Sequence, residues 1–312
     1  MAKYLVTGGC GFIGSHLVDS LLDDGHRVRV LDNLSTGSRE NLSSTSELVI
    51  GDVADGKLVS NCIAGMDGCF HLAAVASVQR STEAWLETHR SNLSGTISVY
   101  DAARRLDAAA PVPVVVASSA AVYGACAEMP LAETARLEPL TPYGADKLGC
   151  EIHGCVAANM FGVPTTALRF FNVYGPRQDP ASPYSGVISI FSNCVAHQRP
   201  LTIFGDGHQY RDFIYVADVV RFLRSAMART TRPVFNVFNV CTGHRSTLND
   251  LTVALSDVCG RSISVRYAPA RKGDIRGSVG DPSAAKAALD VEAKTSLRQG
   301  LERLLGCKPD CS

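Results

Sequence analysis

Short apolar runs alternate with segments of helical spacing over the first 170 residues. Four to seven apolar residues in a row predict buried strands, and apolar positions three or four residues apart predict helices. Strands are expected at 3–7, 27–31, 47–50, 68–72, 113–118 and 164–170, and helices at 12–24, 55–64, 92–109 and 143–160. This alternation predicts an α/β fold in which helices cover both faces of a parallel sheet.

A glycine-rich turn follows the first predicted strand. It reads Gly8-Gly9-Cys10-Gly11-Phe12-Ile13-Gly14 and leads into the first predicted helix. Because glycine lacks a Cβ atom, the chain can turn tightly there and a pyrophosphate can approach the helix N-terminus. Strand, glycine turn and helix in this order predict a dinucleotide site of the Rossmann type, in a doubly wound parallel sheet. Its cofactor-binding residues are predicted to include Gly8, Gly11, Phe12, Ile13 and Gly14.

The second predicted strand leads into Asp32, whose carboxylate selects between the two nicotinamide dinucleotides. An acidic residue roughly twenty positions beyond the first glycine suits the two hydroxyls of the adenosine ribose. It would repel a 2′-phosphate, and the neighbouring Asn33 is uncharged, so NAD is favoured over NADP. The next two strands lead into further residues expected along the cofactor, namely Asp52, Val53, Leu72, Ala73 and Ala74. His71 is expected to have a structural role.

The regular alternation ends after Asn172. A helix at 216–229 and the strand Phe235–Val240 are expected to return to the sheet, and short strands at 201–204 and 263–267 to form a smaller lobe. The predicted NAD-binding domain therefore comprises residues 1–172 and about 214–242. The smaller C-terminal α/β lobe, residues 173–213 and 243–312, is predicted to bind the substrate, with the ligand in the cleft between them.

Composition excludes several other classes of function. Thirty basic and thirty acidic residues give a formal net charge of zero, so neither a nucleic-acid surface nor a membrane surface is expected. No run approaches the ~20 apolar residues of a membrane span, and the N-terminus lacks a secretory pattern. A cytoplasmic protein is therefore expected. The eleven cysteines are irregularly spaced, which favours reduced thiols, and no metal site is predicted.

Three residues form the candidate catalytic group. Tyr143 and Lys147 lie four residues apart, which places both side chains on one face of a helix. An ammonium group beside a phenol favours the phenolate, which would allow the tyrosine to act as a base. Ser119 follows the strand at 113–118 and would hydrogen-bond the reacting oxygen. Lys147 would also hold the nicotinamide ribose.

These motifs resemble the extended short-chain dehydrogenase/reductase family, and within it the nucleotide-sugar 4-epimerases. The resemblance runs from Val6 to about Asp281 and is carried by residues 7–14, 32–33, 118–124, 143–147, 169–176, 203–207 and 211–218. It implies that Tyr143 takes the proton of the C4 hydroxyl while NAD takes the C4 hydride. The 4-keto sugar then presents its other face, and the return of the hydride inverts C4.

Two alanines distinguish this chain from other members of the family. Family 4,6-dehydratases place Asp and Glu directly after the active-site hydroxyl, and UDP-glucuronate decarboxylases have a Glu at the second of these positions. GDP-fucose synthases place a catalytic Cys at the first. This chain has Ala120 and Ala121 at these positions. Without a second acid or base there, the site is equipped only for proton and hydride exchange at one carbon. An NAD(P)H-dependent 4-keto-sugar reductase and a non-catalytic sugar-nucleotide-binding protein remain the alternatives.

The resemblance also implies a UDP-sugar substrate. The residues expected around it are Ser77, Ser119, Tyr143, Asn172, Thr202, Phe204, Arg211, Arg271 and Ser278. Ser278 stands where relatives restricted to unacetylated sugars have a bulky Tyr, so UDP-GlcNAc and UDP-GalNAc are the expected pair. UDP-glucose and UDP-galactose are expected to be accepted as well, because a roomy pocket rejects a smaller ligand only weakly. A homodimer is expected through the helices predicted at 92–109 and 143–160.

Overall fold

The computed structural model describes residues 1–104, 110–126, 128–179, 186–270 and 275–306. Its strands, in chain order, are Lys3–Thr7 (β1), Arg27–Asp32 (β2), Glu47–Ile50 (β3), Gly68–His71 (β4), Val114–Ser119 (β5), Thr165–Phe170 (β6), Asn172–Tyr174 (β7), Leu201–Phe204 (β8), Tyr210–Arg211 (β9), Phe213–Tyr215 (β10), Phe235–Val240 (β11), Ser246–Thr247 (β12), Val265–Ala268 (β13) and Gly277–Ser278 (β14). Its α-helices are Phe12–Asp23 (α1), Gly56–Ile63 (α2), Val78–Glu83 (α3), Trp85–His89 (α4), Gly95–Ala103 (α5), Pro142–Phe161 (α6), Val187–Ala196 (α7), Val216–Arg229 (α8), Leu248–Cys259 (α9), Ser283–Leu289 (α10) and Leu297–Leu305 (α11).

Seven parallel strands form the central sheet, in the order β3-β2-β1-β4-β5-β6-β11. Successive side chains of a strand point to opposite faces, and here both faces are apolar. Leu5 packs with α2, α5 and α6, whereas Val6 packs with α1 and α8 on the other side. The predicted Rossmann-type α/β fold is confirmed. The strand order reverses between β1 and β4, so a crevice opens at their carboxyl ends.

The helix predicted at 92–109 begins elsewhere. Helical structure starts at Trp85 in α4, passes through a π-helical turn at Arg90–Ser94 and continues as α5. Residues 105–109 lie outside the described part of the chain. The carbonyl of Asn92 accepts a hydrogen bond from Thr96 Oγ1 at 2.6 Å, and the side chain of Asn92 bonds to the backbone of Val75. The bonds between Asn92 and Val75 join this segment to the loop after β4. The spacing of apolar residues cannot predict bonds of this kind.

Smaller sheets lie beside the main one. β7 pairs with β10, β8 pairs with β13, and β9 lies between β12 and β14. The helices α7, α9 and α11 pack with β8 in a separate apolar core. The helix α10 follows a different course, because Ala285 and Leu289 join the core of the large sheet beside α8 and β11. The predicted division of the chain into two domains assigned this helix to the smaller lobe, although its contacts are with the sheet.

Candidate active site

The glycine turn lies between β1 and α1, at the reversal of strand order. Gly8 has a φ of 71°, and a Cβ atom there would lie 2.7 Å from the backbone nitrogen of Ala73. A Cβ atom on Gly14 would lie 2.1 Å from the carbonyl oxygen of Gly8. Both contacts are too close for any side chain. With glycine at both positions the turn can be tight, and the N-terminus of α1 stays accessible. This cradle fits the pyrophosphate of a dinucleotide, with Gly11, Phe12 and Ile13 at the start of the helix.

Asp32 is the last residue of β2 and has both carboxylate oxygens engaged. Oδ2 accepts a hydrogen bond from the backbone nitrogen of Cys10 at 2.9 Å, and Oδ1 accepts one from that of Leu34 at 2.8 Å. Each oxygen retains a lone pair for a ribose hydroxyl. The side chain of Asn33 accepts from Ser35 in the same turn. These residues fit the adenosine end of NAD.

The remaining residues predicted along the cofactor come directly after β3 and β4. Asp52 pairs with Arg90, with 3.3 Å between the carboxylate and the guanidinium, and Val53 packs against Gly95. Leu72 and Ala73 donate their backbone N–H groups to Thr7, and these two residues and Ala74 are half-buried. These predicted cofactor residues therefore lie at or just after the carboxyl ends of β1 to β4. The crevice at the reversal of strand order opens at the same edge of the sheet.

His71 is held by hydrogen bonds on both ring nitrogens. Thr96 Oγ1 donates to a backbone carbonyl and so accepts from His71 Nε2 at 2.9 Å, while Thr7 Oγ1 donates to Nδ1 at 2.7 Å. The hydroxyl of Thr7 also accepts the N–H of Ala73. Burial, together with the positive charge of Lys147, lowers the pKa of His71 to about 3. A neutral histidine therefore fixes the segment after β4, in agreement with the structural role expected for it.

Ser119, Tyr143 and Lys147 come from β5 and α6. Ser119 ends β5, and its hydroxyl accepts the backbone N–H of Ala121 at 3.1 Å. Lys147 is 4% exposed; its Nζ donates to the carbonyl of Ala117 at 2.7 Å and lies 5.9 Å from the ring centre of Tyr143. The carbonyl that holds Lys147 thus lies two residues before Ser119 at the carboxyl end of β5, and Tyr143 lies one turn before Lys147 on α6.

A buried ion pair behind these residues was missed by the sequence analysis. Arg169 of β6 makes two hydrogen bonds, of 2.9 and 2.7 Å, to the carboxylate of Glu151. Burial alone would lower the pKa of Arg169, but the hydrogen bonds and charge of Glu151 raise it. The same carboxylate accepts from the hydroxyl of Ser118, the residue before Ser119. Glu151 lies four residues after Lys147, and this helical spacing was the one available signal.

The structure also brings together three predicted substrate residues. Ser278 in β14 is the register partner of Arg211 in β9 and is 5% exposed. Asn172 begins β7, and its N–H donates to the carbonyl of Asp212, the residue after Arg211. Asp212 is buried; it accepts hydrogen bonds from Thr242, Gly243 and Gly280, but burial still raises the pKa of its carboxyl. This carboxylate ties β9 and β10 to the segments that follow β11 and β14.

The other substrate residues lie further apart. Ser77 caps α3 by accepting the N–H of Arg80 and is 7% exposed. Thr202 is exposed and Phe204 half-buried on β8, in a separate two-stranded sheet. Arg271 lies outside the described residues. The structure therefore gives no geometry for that predicted contact with the diphosphate.

Metal-binding clusters, disulfides and membrane-spanning helices are absent from the described residues. Among them, no group of His, Cys, Asp and Glu side chains could hold a metal ion, and no cysteine takes part in a disulfide. Cys307 and Cys311 lie outside this part of the chain. In the same residues, every helix is too short or too polar to cross a bilayer.

Comparisons with known proteins agree with this geometry. Residues 4–241 match the model of the NAD dependent epimerase/dehydratase family. A UDP-glucose 4-epimerase of Mycolicibacterium smegmatis is 36% identical over 310 residues, with 96% of each chain covered.

Two solved structures have nearly the same fold. One is a Thermotoga maritima UDP-glucose 4-epimerase with UDP-glucose, at a TM-score of 0.92 and 36% identity, with 97% of each chain covered. The other is a UDP-N-acetylglucosamine 4-epimerase from Methanobrevibacter ruminantium with UDP-N-acetylmuramic acid, at 0.90 and 34%, with 98% of each covered. The resemblance found in the sequence is confirmed: the chain belongs to the NAD-dependent epimerase/dehydratase family, and NAD is its cofactor.

Proposed function

We propose that this enzyme inverts C4 of UDP-N-acetylhexosamines, interconverting UDP-GlcNAc and UDP-GalNAc, and that it also accepts UDP-glucose and UDP-galactose. The coarser activity, NAD-dependent 4-epimerisation of a UDP-sugar, follows from the family and its relatives. The observation that carries the choice of sugar is Ser278, a small buried residue beside Arg211. A serine leaves space for an acetamido group at C2 that a tyrosine would fill.

The catalytic steps assigned to this chain concern one proton. Tyr143 takes the proton of the C4 hydroxyl as the sugar is oxidised and returns it as the opposite epimer forms. Lys147, fixed on the carbonyl of Ala117, stabilises the negative charge of the phenolate and binds the ribose next to the nicotinamide. Ser119 donates its hydroxyl to the same sugar oxygen. When bound, NAD supplies the acceptor and donor of the C4 hydride.

The neighbourhood of Ser119 favours epimerisation over elimination of water. Loss of water across C5 and C6 needs a second acid and base beside the sugar. Ala120 and Ala121, which begin the 3-10 turn after β5, can neither give nor take a proton. The chemistry available is therefore reversible oxidation at C4. An NAD(P)H-dependent 4-keto-sugar reductase remains the second candidate; it would consume one reduced dinucleotide in every turnover.

We also propose that the protein is a homodimer through the outer faces of α5 and α6. Ile152 and Val156 lie one turn apart on α6 and are 56% and 44% exposed, and Ile97 of α5 is 38% exposed. Apolar residues clustered on neighbouring helices are more costly to leave in water than single exposed ones. A second copy would cover them.

Replacing Tyr143 by Phe should abolish proton transfer while keeping the ring. We expect the interconversion rate to fall by ~10²–10⁴-fold, with UDP-sugar affinity within a few-fold of wild type. Product formation is followed by NMR without added dinucleotide. Tyr267→Phe, which removes an exposed hydroxyl bonded only to Asn249 among the described contacts, is the control and should be unaffected. Near-normal turnover by Tyr143→Phe would show that another group moves the proton.

Replacing Ser278 by Tyr should separate the two classes of sugar. We expect kcat/KM for UDP-GlcNAc to fall at least about tenfold more than for UDP-glucose, because the ring would occupy the space of the acetamido group. Ser278→Ala, which stays small, should keep both activities. Equal losses for the two sugars in Ser278→Tyr would mean that another residue governs selectivity.

A charge on the exposed face of α6 should prevent dimer formation. We expect Ile152→Arg to elute as a monomer in size-exclusion chromatography with light scattering, since an arginine buried without a partner is strongly unfavourable. Val253→Arg on α9, where Val253 is 59% exposed, is the matched control and should behave as wild type. The proposed interface is wrong if Ile152→Arg stays dimeric.

A further inference from the structure

The first turn of α6 has one backbone donor that its own cap does not satisfy. The initial N–H groups of a helix lack partners within the helix. Thr141 caps α6, its side chain accepting from Gly144 and its carbonyl from Ala145. Pro142 has no N–H group. The donor left over is the N–H of Tyr143, the proposed proton-transfer residue.

That donor is satisfied from a different element. The hydroxyl of Ser81 in α3 accepts the N–H of Tyr143 at 3.1 Å. It also donates to the carbonyl of Val78 at 2.6 Å, so the direction of both bonds is fixed. Ser81 is completely buried. The start of the catalytic helix is therefore held by a side chain that lies 62 residues earlier in the chain.

The same short helix carries a residue predicted to line the sugar. Ser77 caps α3, and its carbonyl accepts the N–H of Ser81 at 3.0 Å. A second bond links this segment to α6, because His89 at the end of α4 lies 2.7 Å from the carboxylate of Asp146. One helical turn thus connects Ser77 to the backbone of Tyr143.

We infer that Ser81 is a positioning residue for the reaction. It fixes the backbone of Tyr143, and therefore the phenol oxygen, relative to the sugar held beside Ser77. This inference rests on the proposed function. Without the hydroxyl of Ser81, the half-buried N–H of Tyr143 loses this partner, and we expect the first turn of α6 to shift or fray. A shift of about 1 Å in a reacting group can cost up to ~100-fold in rate.

The neighbouring Thr82 offers a matched control. Its hydroxyl also donates to the carbonyl of Val78, at 3.2 Å, but the residue is exposed. Removing it therefore changes α3 in a similar way, while the bond from Tyr143 to Ser81 stays in place.

The test compares Ser81→Ala with Thr82→Ala in the full chain. For Ser81→Ala we expect kcat to fall by about 10- to 100-fold with KM changed less than about twofold, and faster hydrogen exchange at the Tyr143 amide. Thr82→Ala should match wild type in kcat, in KM and in hydrogen exchange at the Tyr143 amide. Ser81→Thr, which keeps the hydroxyl, should have a kcat between those of Ser81→Ala and wild type. Unchanged kcat in Ser81→Ala, a change confined to KM, or an equal loss of kcat in Thr82→Ala would overturn the inference.

Wild-type protein provides a test that does not depend on the folding of a variant. Amide exchange at Tyr143 should be as slow as in the middle of α6, and exchange as fast as in an uncapped first turn would overturn the inference. Failure here is distinct from failure of the proposed function. If Tyr143→Phe loses activity but Ser81→Ala keeps it, only the positioning role is wrong. If Tyr143→Phe keeps activity, the proposed function itself is wrong.

Discussion

The geometry of this site depends on the junction between β5 and α6. Lys147 reaches across from the helix to the carbonyl of Ala117, and Glu151, one turn later, binds Arg169 and Ser118. A buried carboxylate is stable only with compensating charge and hydrogen bonds, and Arg169 supplies both through a two-point contact. The helix can therefore neither slide nor rotate freely against the strand that ends in Ser119. All three proposed catalytic residues take their positions from this junction.

The cofactor side and the sugar side of the crevice are built in different ways. Around the cofactor, close backbone approach at Gly8 and Gly14 and the neutral His71 set the shape of the turn. Around the predicted sugar site, strands of only two or three residues would be weak alone. The buried carboxylate of Asp212 joins them by accepting hydrogen bonds from three residues in two segments. Rigid backbone suits a cofactor that is retained through each turnover. Short strands joined in this way suit a pocket whose selectivity we propose to depend on one side chain, Ser278.

Local sequence patterns predicted what local physics determines. Apolar runs predicted the strands of the central sheet. The glycine spacing predicted a dinucleotide cofactor, and Asp32 predicted that it is NAD and not NADP. They failed where one residue depends on a distant one. The π-helical turn around Asn92 is bonded to Val75, Glu151 needs Arg169 on a strand of the sheet, and the N–H of Tyr143 is bonded to Ser81. No periodicity records such pairs. The residues predicted from the family resemblance, such as Thr202 and Arg211, could be placed in the fold, but their contacts with a ligand remain predictions.

The central claim is that a single hydrogen leaves C4 and returns to it within one active site. Its most direct test uses UDP-glucose and UDP-GlcNAc that carry deuterium at C4, incubated with the purified protein in ordinary water without added dinucleotide. We expect both epimers at equilibrium to keep the deuterium at C4, as read by NMR and mass spectrometry. Loss of the label from C4, or turnover only when a reduced dinucleotide is added, would contradict the claim.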